Sequence, residues 1–333
     1  IMSAEKIIGD FKKGNFKPVY WLEGEESYFI DSIVNYAEHQ ILSESDSSFN
    51  LTIFYGKDTL WPDVINACRR YPMFSERQVV IVKEAQHMRD IEKLEGYVEN
   101  PLISTILVIS FKEKKVDSRT KFGKLLKSKT EFFSTKKMYD NQLPDWTRNM
   151  IIEHGLSINP KALMLLVDHV GNDLSRLENE IEKLAINLGT RKSITEDDIE
   201  KYIGVSKEFN VFELQDALAK KDVSKAIRII QYFEKNPKVG PIQLVLPSLY
   251  AFFSKLYCIY REGTTDERTL ASNLGINPFA IKSYMVAYKN YSYNSTEKIL
   301  LLLHHYNLRS IGIQDAGTTD AGLMKELVMK MVS

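Results

Sequence analysis

Along the first 140 residues, short continuous apolar runs alternate with amphipathic stretches. The runs Pro18-Val19-Tyr20-Trp21-Leu22, Leu51-Thr52-Ile53-Phe54-Tyr55, Val79-Val80-Ile81-Val82, Ser104-Thr105-Ile106-Leu107-Val108-Ile109-Ser110 and the short Glu131-Phe132-Phe133 are rich in β-branched and aromatic residues and predict five strands. Between them the apolar residues recur at helical spacing. Ile7, Ile8 and Phe11 mark a first short helix ended by Gly14, and Tyr28, Ile30, Ile33, Val34 and Ala37 mark a second. Further helices are expected over 61–70, about 90–98 and 119–126. Strands without polar alternation are buried on both faces, and strands separated by helices pair in parallel, so residues 1–140 predict an α/β domain with both sheet faces covered.

The remainder reads as helical. In residues 141–205, Pro144-Asp145-Trp146 opens a helix carrying Trp146, Met150 and Ile151. Asn159-Pro160 opens another, with Leu163, Leu166, Val167 and Val170 as its stripe and Gly171 as its stop. Leu174, Leu177, Ile181 and Leu184 follow at spacings of three, four and three on one helix face, and Thr195-Glu196-Asp197-Asp198 caps a helix with Ile199, Tyr202 and Ile203. This small all-helical module is net acidic. Residues 206–333 carry further helices beginning at Val211, Ser224, Ile242, Thr296 and Leu323. The one over 242–260 is apolar enough to be expected buried on most sides, and 312–322, rich in Gly and Thr, is expected to be a loop.

One loop resists assignment to a core. The stretch 61–70 has Pro62 near its first turn and Arg69 and Arg70 in its last, where cations suit the helix dipole, and Pro72 is expected to stop it. After Ser75-Glu76-Arg77-Gln78 comes the third strand. Tyr71-Pro72-Met73-Phe74 therefore falls on a turn, outside any periodic stripe. Met73 and Phe74 either fold back under the loop, as large apolar side chains usually do, or stand out as an anchor for a pocket on a partner.

Composition narrows the picture only modestly. A chain of 333 residues is expected to form two or three domains. The formal net charge is zero, so no global field favours nucleic acid or membrane. Cys68 and Cys258 stand alone, with no CxxC and no Cys/His cluster, which fits a reducing cytoplasm and argues against structural zinc. No signal peptide and no apolar run near 18 residues is read, and Ile1 before Met2 is taken as an added residue.

Chemistry is conspicuous by substitution. The turn after a first strand is where a nucleotide hydrolase places GxxxxGK[ST]. Here it reads Gly24-Glu25-Glu26-Ser27-Tyr28-Phe29-Ile30, with no lysine for phosphates, no Ser/Thr for magnesium and two carboxylates that repel phosphate. The third strand ends in Lys83-Glu84-Ala85 rather than in a pair of acids. Ten Lys/Arg against three acids lie between Lys112 and Lys137, as a solvated helix face or as a surface tracking phosphates or a neighbouring subunit. Residues 270–281, with Gly275 at a turn, resemble a helix-turn-helix whose second helix, with Lys282 and Asn277, is poorly equipped to read bases. No histidine sits in a recognisable nucleophile motif, and His304-His305 reads as a helix-surface pair.

Four stretches together resemble one family, the delta subunit of the bacterial DNA polymerase III clamp loader. They are 19–26 (VYWLEGEE), 73–82 (MFSERQVVIV), 171–184 (GNDLSRLENEIEKL), which is the most specific, and 211–218 (VFELQDAL). The resemblance spans about residues 5–330 and is weakest after 290. It implies an α/β plus all-α chain. Its parts would be an AAA+ domain (RecA-like parallel sheet) over 1–140 with a degenerate nucleotide site, a helical lid over 141–205 and a helical collar over 206–333. It implies a non-catalytic, cytoplasmic subunit without cofactor, metal or catalytic residues. DNA polymerase activity would then belong to the holoenzyme. Its partners would be the sliding clamp (beta subunit), the gamma/tau and delta prime subunits of a pentamer, and primer-template DNA through the complex, with no membrane.

In this family two adjacent apolar residues before the third strand dock in the clamp's hydrophobic pocket and help open one interface. The matching positions are Met73 and Phe74, with Tyr71 and Pro72 shaping the loop. The family usually has Leu-Phe. Met73 is a departure that keeps volume and adds adaptability. The rival readings are an active ATPase of the same fold and a DNA-binding regulator using 269–284.

Overall fold

The computed structural model describes residues 3–277, 280–315 and 317–332. Contacts divide the chain into two compact units, with the boundary after Met138.

The first unit runs α1 (Ala4–Lys12), β1 (Val19–Gly24), α2 (Ser27–Gln40), α3 (Glu44–Asn50), β2 (Leu51–Tyr55), α4 (Trp61–Cys68), β3 (Gln78–Lys83), α5 (Glu95–Glu99), β4 (Thr105–Lys112), α6 (Lys121–Lys129) and β5 (Glu131–Thr135). The five strands form one parallel sheet in the order β2-β3-β4-β1-β5. Successive side chains on a strand leave opposite faces, so each central strand feeds two cores. Val19 and Trp21 of β1 pack with Val80, Val82, Leu107, Ile109, Val64 and Leu126 on one side. Tyr20 and Leu22 pack with Val79, Ile81, Val108, Ile30, Ile33 and Phe11 on the other. That is why the strand sequences lack polar alternation.

Helices α3 and α5 of this unit depart from the sequence reading. Helix α3 was not foreseen. It is capped by Ser43, whose side chain accepts from the Asp46 amide. Residues 90–98 form a tight 3₁₀ turn over Ile91–Leu94 before the short α5, rather than one helix.

The second unit comprises α7 (Leu143–Glu153), β6 (Ser157–Ile158), α8 (Pro160–Val170), α9 (Leu174–Leu188), β7 (Ser193–Ile194), α10 (Glu196–Asp198), α11 (Val211–Ala219), α12 (Val223–Lys235), α13 (Ile242–Ile259), α14 (Glu267–Asn273), α15 (Ile281–Asn290), α16 (Tyr293–Ser310) and α17 (Asp320–Val332). Asp173 caps α9 by accepting from the Arg176 amide, and Leu174, Leu177, Ile181 and Leu184 are buried along one face as their spacing predicts. The module over 141–205 is not purely helical, because β6 and β7 form a small parallel pair.

Helix α13 is the spine of the larger helical core, but only one of its faces is buried, through Val245, Leu249, Phe252, Phe253 and Leu256. Leu244 and Tyr250 are exposed, which corrects the expectation of burial on most sides. Among the described residues α13 is also long and apolar enough to cross a membrane. That amends the reading that no such segment exists, although its buried face serves the protein core. In the helix-turn-helix-like stretch, Gly275 takes φ +58° and Leu270, Ile276 and Ile281 are buried in the helical core, while Pro278 and Phe279 lie outside the described residues.

Candidate functional site: the loop before the third strand

In an open parallel sheet, ligands sit beyond the carboxyl ends of the strands where the strand order reverses. Here that place is the end of β1, flanked by β4 and β5. Gly24 takes φ +129°, and a Cβ there would lie 2.3 Å from the Thr135 carbonyl oxygen, so no other residue fits. The Glu26 amide donates to Thr135 Oγ1 at 3.1 Å, and the nearly buried Glu26 carboxylate accepts from the Tyr28 amide at the start of α2. A helix N-terminus is a ready anion site, and this one already holds a carboxylate of the chain itself. Glu23, also buried, accepts from Trp21 Nε1 at 3.0 Å and from the Val116 amide at 3.1 Å.

The end of β3 is similarly spoken for. Lys83 pairs with Glu38. Glu84, at φ +52°, pairs with Lys112 at 2.9 Å, and Lys112 also reaches Asp31 at 2.7 Å. Burial alone would raise the Glu84 carboxyl, but Lys112 and Gln86 outweigh it and hold Glu84 below its ordinary range. Within the basic stretch, Arg119 pairs with Asp117 and Lys121 with Glu95. Three of its ten cations thus neutralise acids of their own unit, and the stretch is less uniformly basic than its composition.

At the opposite, amino-terminal edge of the sheet, α4 ends at Cys68, two residues before the predicted end and four before Pro72. The expected stop at Pro72 therefore needs correcting. The closing groups are instead side chains of the sheet. Buried Gln78 donates from Nε2 to the Ala67 carbonyl at 3.1 Å, to the Arg70 carbonyl and to Thr105 Oγ1 at 2.8 Å, and Thr105 Oγ1 in turn donates to the Cys68 carbonyl at 2.9 Å. Arg69 does not serve the helix dipole alone. Its guanidinium lies over the Tyr97 ring, 5.0 Å from the centroid. Burial pushes the Cys68 thiol up to about 12, so this cysteine is an unreactive part of the core.

From Arg70 the chain turns outward. Tyr71, Met73 and Phe74 are exposed, Met73 by 53% and Phe74 by 95%, while Pro72 is half-buried. Phe74 takes φ +54°, a left-handed conformation that costs a bulky side chain roughly 1–2 kcal/mol. Of the two readings of these residues, the folded-back one is excluded for this structure. The loop carries no acid, base or nucleophile, so what it can offer a partner is apolar surface.

Two functional candidates escaped the sequence reading, Gln78 and Asn50. The Asn50 amide takes both backbone groups of Met73, accepting from its N–H at 2.7 Å and donating to its carbonyl at 2.9 Å. The one signal that could have led there is Ser43 followed by Glu44 and Asp46, an N-cap pattern that opens α3. Among the described residues, no group of three or more His, Cys, Asp or Glu could hold a metal ion.

The sheet order, the self-occupied turn after β1 and the helical second unit define the class. This is an AAA+ fold with a RecA-like parallel sheet followed by a helical region. A family model described as DNA polymerase III, delta subunit, matches residues 20–136, and a second, for the C-terminal domain of that subunit, matches 208–310. The chain belongs to the DNA polymerase III delta subunit family. It is 25% identical over 331 residues to DNA polymerase III subunit delta of Bacillus subtilis, covering 96% of this chain and 93% of the relative. It is 24% identical to the probable DNA polymerase III subunit delta of Aquifex aeolicus, covering 90% and 88%. The solved Bacillus subtilis DNA clamp loader delta protein shares the fold, with a TM-score of 0.57, 24% identity and 99% of both chains covered.

Proposed function

We propose that this chain acts within a clamp loader, gripping the ring-shaped sliding clamp with Met73 and Phe74 and helping to open one interface of the ring for loading onto primed DNA. The observation that carries the reading is the loop itself. Two adjacent large apolar side chains stand exposed on a backbone that is tied down from behind. An exposed pair of this kind on a monomer surface marks an interaction site, and each side chain contributes roughly 1.5–3 kcal/mol when buried in a partner's pocket. Tyr71 and Pro72 shape the loop's entry.

The chain is the non-catalytic member of its assembly, working in the cytoplasm. The carboxylates of Glu23 and Glu26 hold the turn where a hydrolase binds phosphate, which supports a subunit driven by the ATP cycles of its neighbours. Residues 141–205 serve as the lid, and 206–333 as the collar joining this chain to the gamma/tau and delta prime subunits. Primer-template DNA is met through the complex.

The test is binding of the intact chain to the sliding clamp of the same organism, by calorimetry or surface plasmon resonance, beside the Met73→Ala/Phe74→Ala double variant. Loss of about 3–6 kcal/mol, roughly 100-fold or more in Kd, is expected, with unchanged helix content and melting. Undiminished binding by the double variant would move the anchor elsewhere.

A further inference from the structure

The loop is exposed, yet it is not slack, and the reason lies in a residue 23 positions earlier. Asn50 is the last residue of α3, and Leu51 begins the edge strand β2. β2 pairs with β3 so that Leu51 faces Val79. Asn50 therefore stands beside Gln78, just outside the amino-terminal edge of the sheet, where the loop passes. From there the two amides hold the loop at separate points. Gln78 takes the Arg70 carbonyl, and Asn50 takes the Met73 N–H and carbonyl. Asn50 is 2% exposed and its bonds to Met73 are partly buried, while the side chains of Met73 and Phe74 are exposed.

The chemistry is demanding. Met73 needs an acceptor and a donor side by side in one plane, the pattern a neighbouring peptide group presents in a sheet. Only a primary amide offers both at the end of a side chain as short as this. Aspartate has the same shape but two acceptors when ionised, one of which would face the Met73 carbonyl. The next residue takes a left-handed turn at φ +54°, and the Phe74 side chain is exposed. Strain of this kind persists only where neighbouring structure over-determines it, and it gathers at ligand-gripping segments.

We propose that Asn50 is a positioning residue for docking. It pre-forms the Met73-Phe74 anchor in the free subunit, so that binding does not have to order the loop. This rests on the reading of Met73 and Phe74 as the clamp anchor. An anchor ordered in advance loses less entropy on association, which raises affinity without any added contact.

The experiment uses the intact chain, with the sliding clamp as probe, in four forms: native, Asn50→Ala, Asn50→Asp and Met73→Ala/Phe74→Ala, plus Asn50→Ala placed in that double variant. Asn50→Ala is expected to raise the clamp Kd about tenfold, from two lost hydrogen bonds, and to speed hydrogen exchange at the Met73 amide. The Kd effect is expected to vanish in the Met73→Ala/Phe74→Ala background, since a residue that acts through the anchor has nothing left to position. A role in general stability would lower the melting temperature equally in both backgrounds and leave no such coupling.

Asn50→Asp keeps the volume and guards against a variant that does not fold. It is expected to bind worse than Asn50→Ala at pH 8. Relative to the native chain it should recover as its carboxyl takes up a proton and regains a donor. The other charged groups near the loop, Asp46, Glu76 and Arg77, line a shallow groove beside Phe74 and are common to both chains, so comparison with the native chain isolates the effect of residue 50. Native affinity in Asn50→Ala, with binding lost in Met73→Ala/Phe74→Ala, overturns the inference while the docking reading stands. Native affinity in Met73→Ala/Phe74→Ala overturns the docking reading and the inference with it. An Asn50→Asp deficit that ignores pH overturns the donor half of the argument.

Discussion

Replacing Gln78 tests how the Tyr71–Phe74 loop is mounted. Its side-chain nitrogen has two hydrogens and three acceptors within reach, the carbonyls of Ala67 and Arg70 and the hydroxyl of Thr105. Because Thr105 spends its own hydrogen on the Cys68 carbonyl, all three partners are acceptors, and only an amide nitrogen or another donor satisfies them. Gln78→Leu keeps the bulk and removes both hydrogens. Two hydrogen bonds are worth about 0.5–1.5 kcal/mol each, and stranding a buried carbonyl costs about 1–3 kcal/mol. A loss of about 2–6 kcal/mol is expected, a large part of what holds a domain of this size folded.

Gln78→Glu is expected to be worse at pH 8, since a carboxylate aimed at carbonyls is acceptor against acceptor. Its folded pKa would lie above the unfolded value of about 4.3. The protonated form is therefore the stable one, and the deficit should shrink as pH falls toward 4 and grow as pH rises through the folded pKa. The readout is hydrogen exchange of the β3 and β4 amides, which reports opening of the sheet without assuming that the two units unfold together. If both variants exchange within about 0.5 kcal/mol of the native chain at pH 8, the α4 carbonyls do not need this amide and the account of the loop's mounting is wrong.

Two other regions give independent checks. Gly24→Ala is expected to destabilise the first unit by several kcal/mol, because its Cβ would sit 2.3 Å from a backbone oxygen at φ +129°; thermal melting near the native value would show that the β1 turn has room after all. In the second unit, Arg309 bonds Asp315 at 2.8 Å and Glu326 at 2.9 Å. The Thr318 amide and Arg309 hold Asp315 down at about 2, and Lys330, Tyr306 and Arg309 hold Glu326 at about 2. Both carboxyls are depressed, so their contribution is intact above the ordinary carboxylate range near pH 4 and is lost as pH falls toward 2. Protection of the α17 amides against hydrogen exchange, taken relative to the intrinsic rate at each pH, should fall across that window in the native chain and less so in Arg309→Met, and a flat native profile would refute the coupling.

Much of the fold was legible because short-range physics suffices for it. Buried parallel strands must be continuously apolar, which made all five strands readable to within two residues at their ends. The stripe on α9 follows from a period of 3.6 alone. Helix α3 was missed because its seven residues, Glu-Ser-Asp-Ser-Ser-Phe-Asn, carry no apolar stripe and are marked only by a cap. The end of α4 was misplaced because Pro72 is a strong local stop signal, whereas the actual terminus is set by Gln78 and Thr105 from neighbouring strands. The reach of α13 into the core was overestimated because composition does not say how many neighbours a helix has.

The sequence by itself determined the class of fold, the carboxylates in the turn after the first strand and the place of Met73 and Phe74 between a helix and a strand. Those are properties of residue type and order, expressed over a few positions. Whether the two apolar side chains lie under the loop or stand out from it was decided by tertiary structure. That outcome depends on an amide 23 residues away meeting both backbone groups of Met73, and on a second amide reaching Arg70 from the adjoining strand. Hydrogen bonds between residues distant in sequence leave no period and no motif. They form once the sheet has brought Asn50 and Gln78 to the same edge.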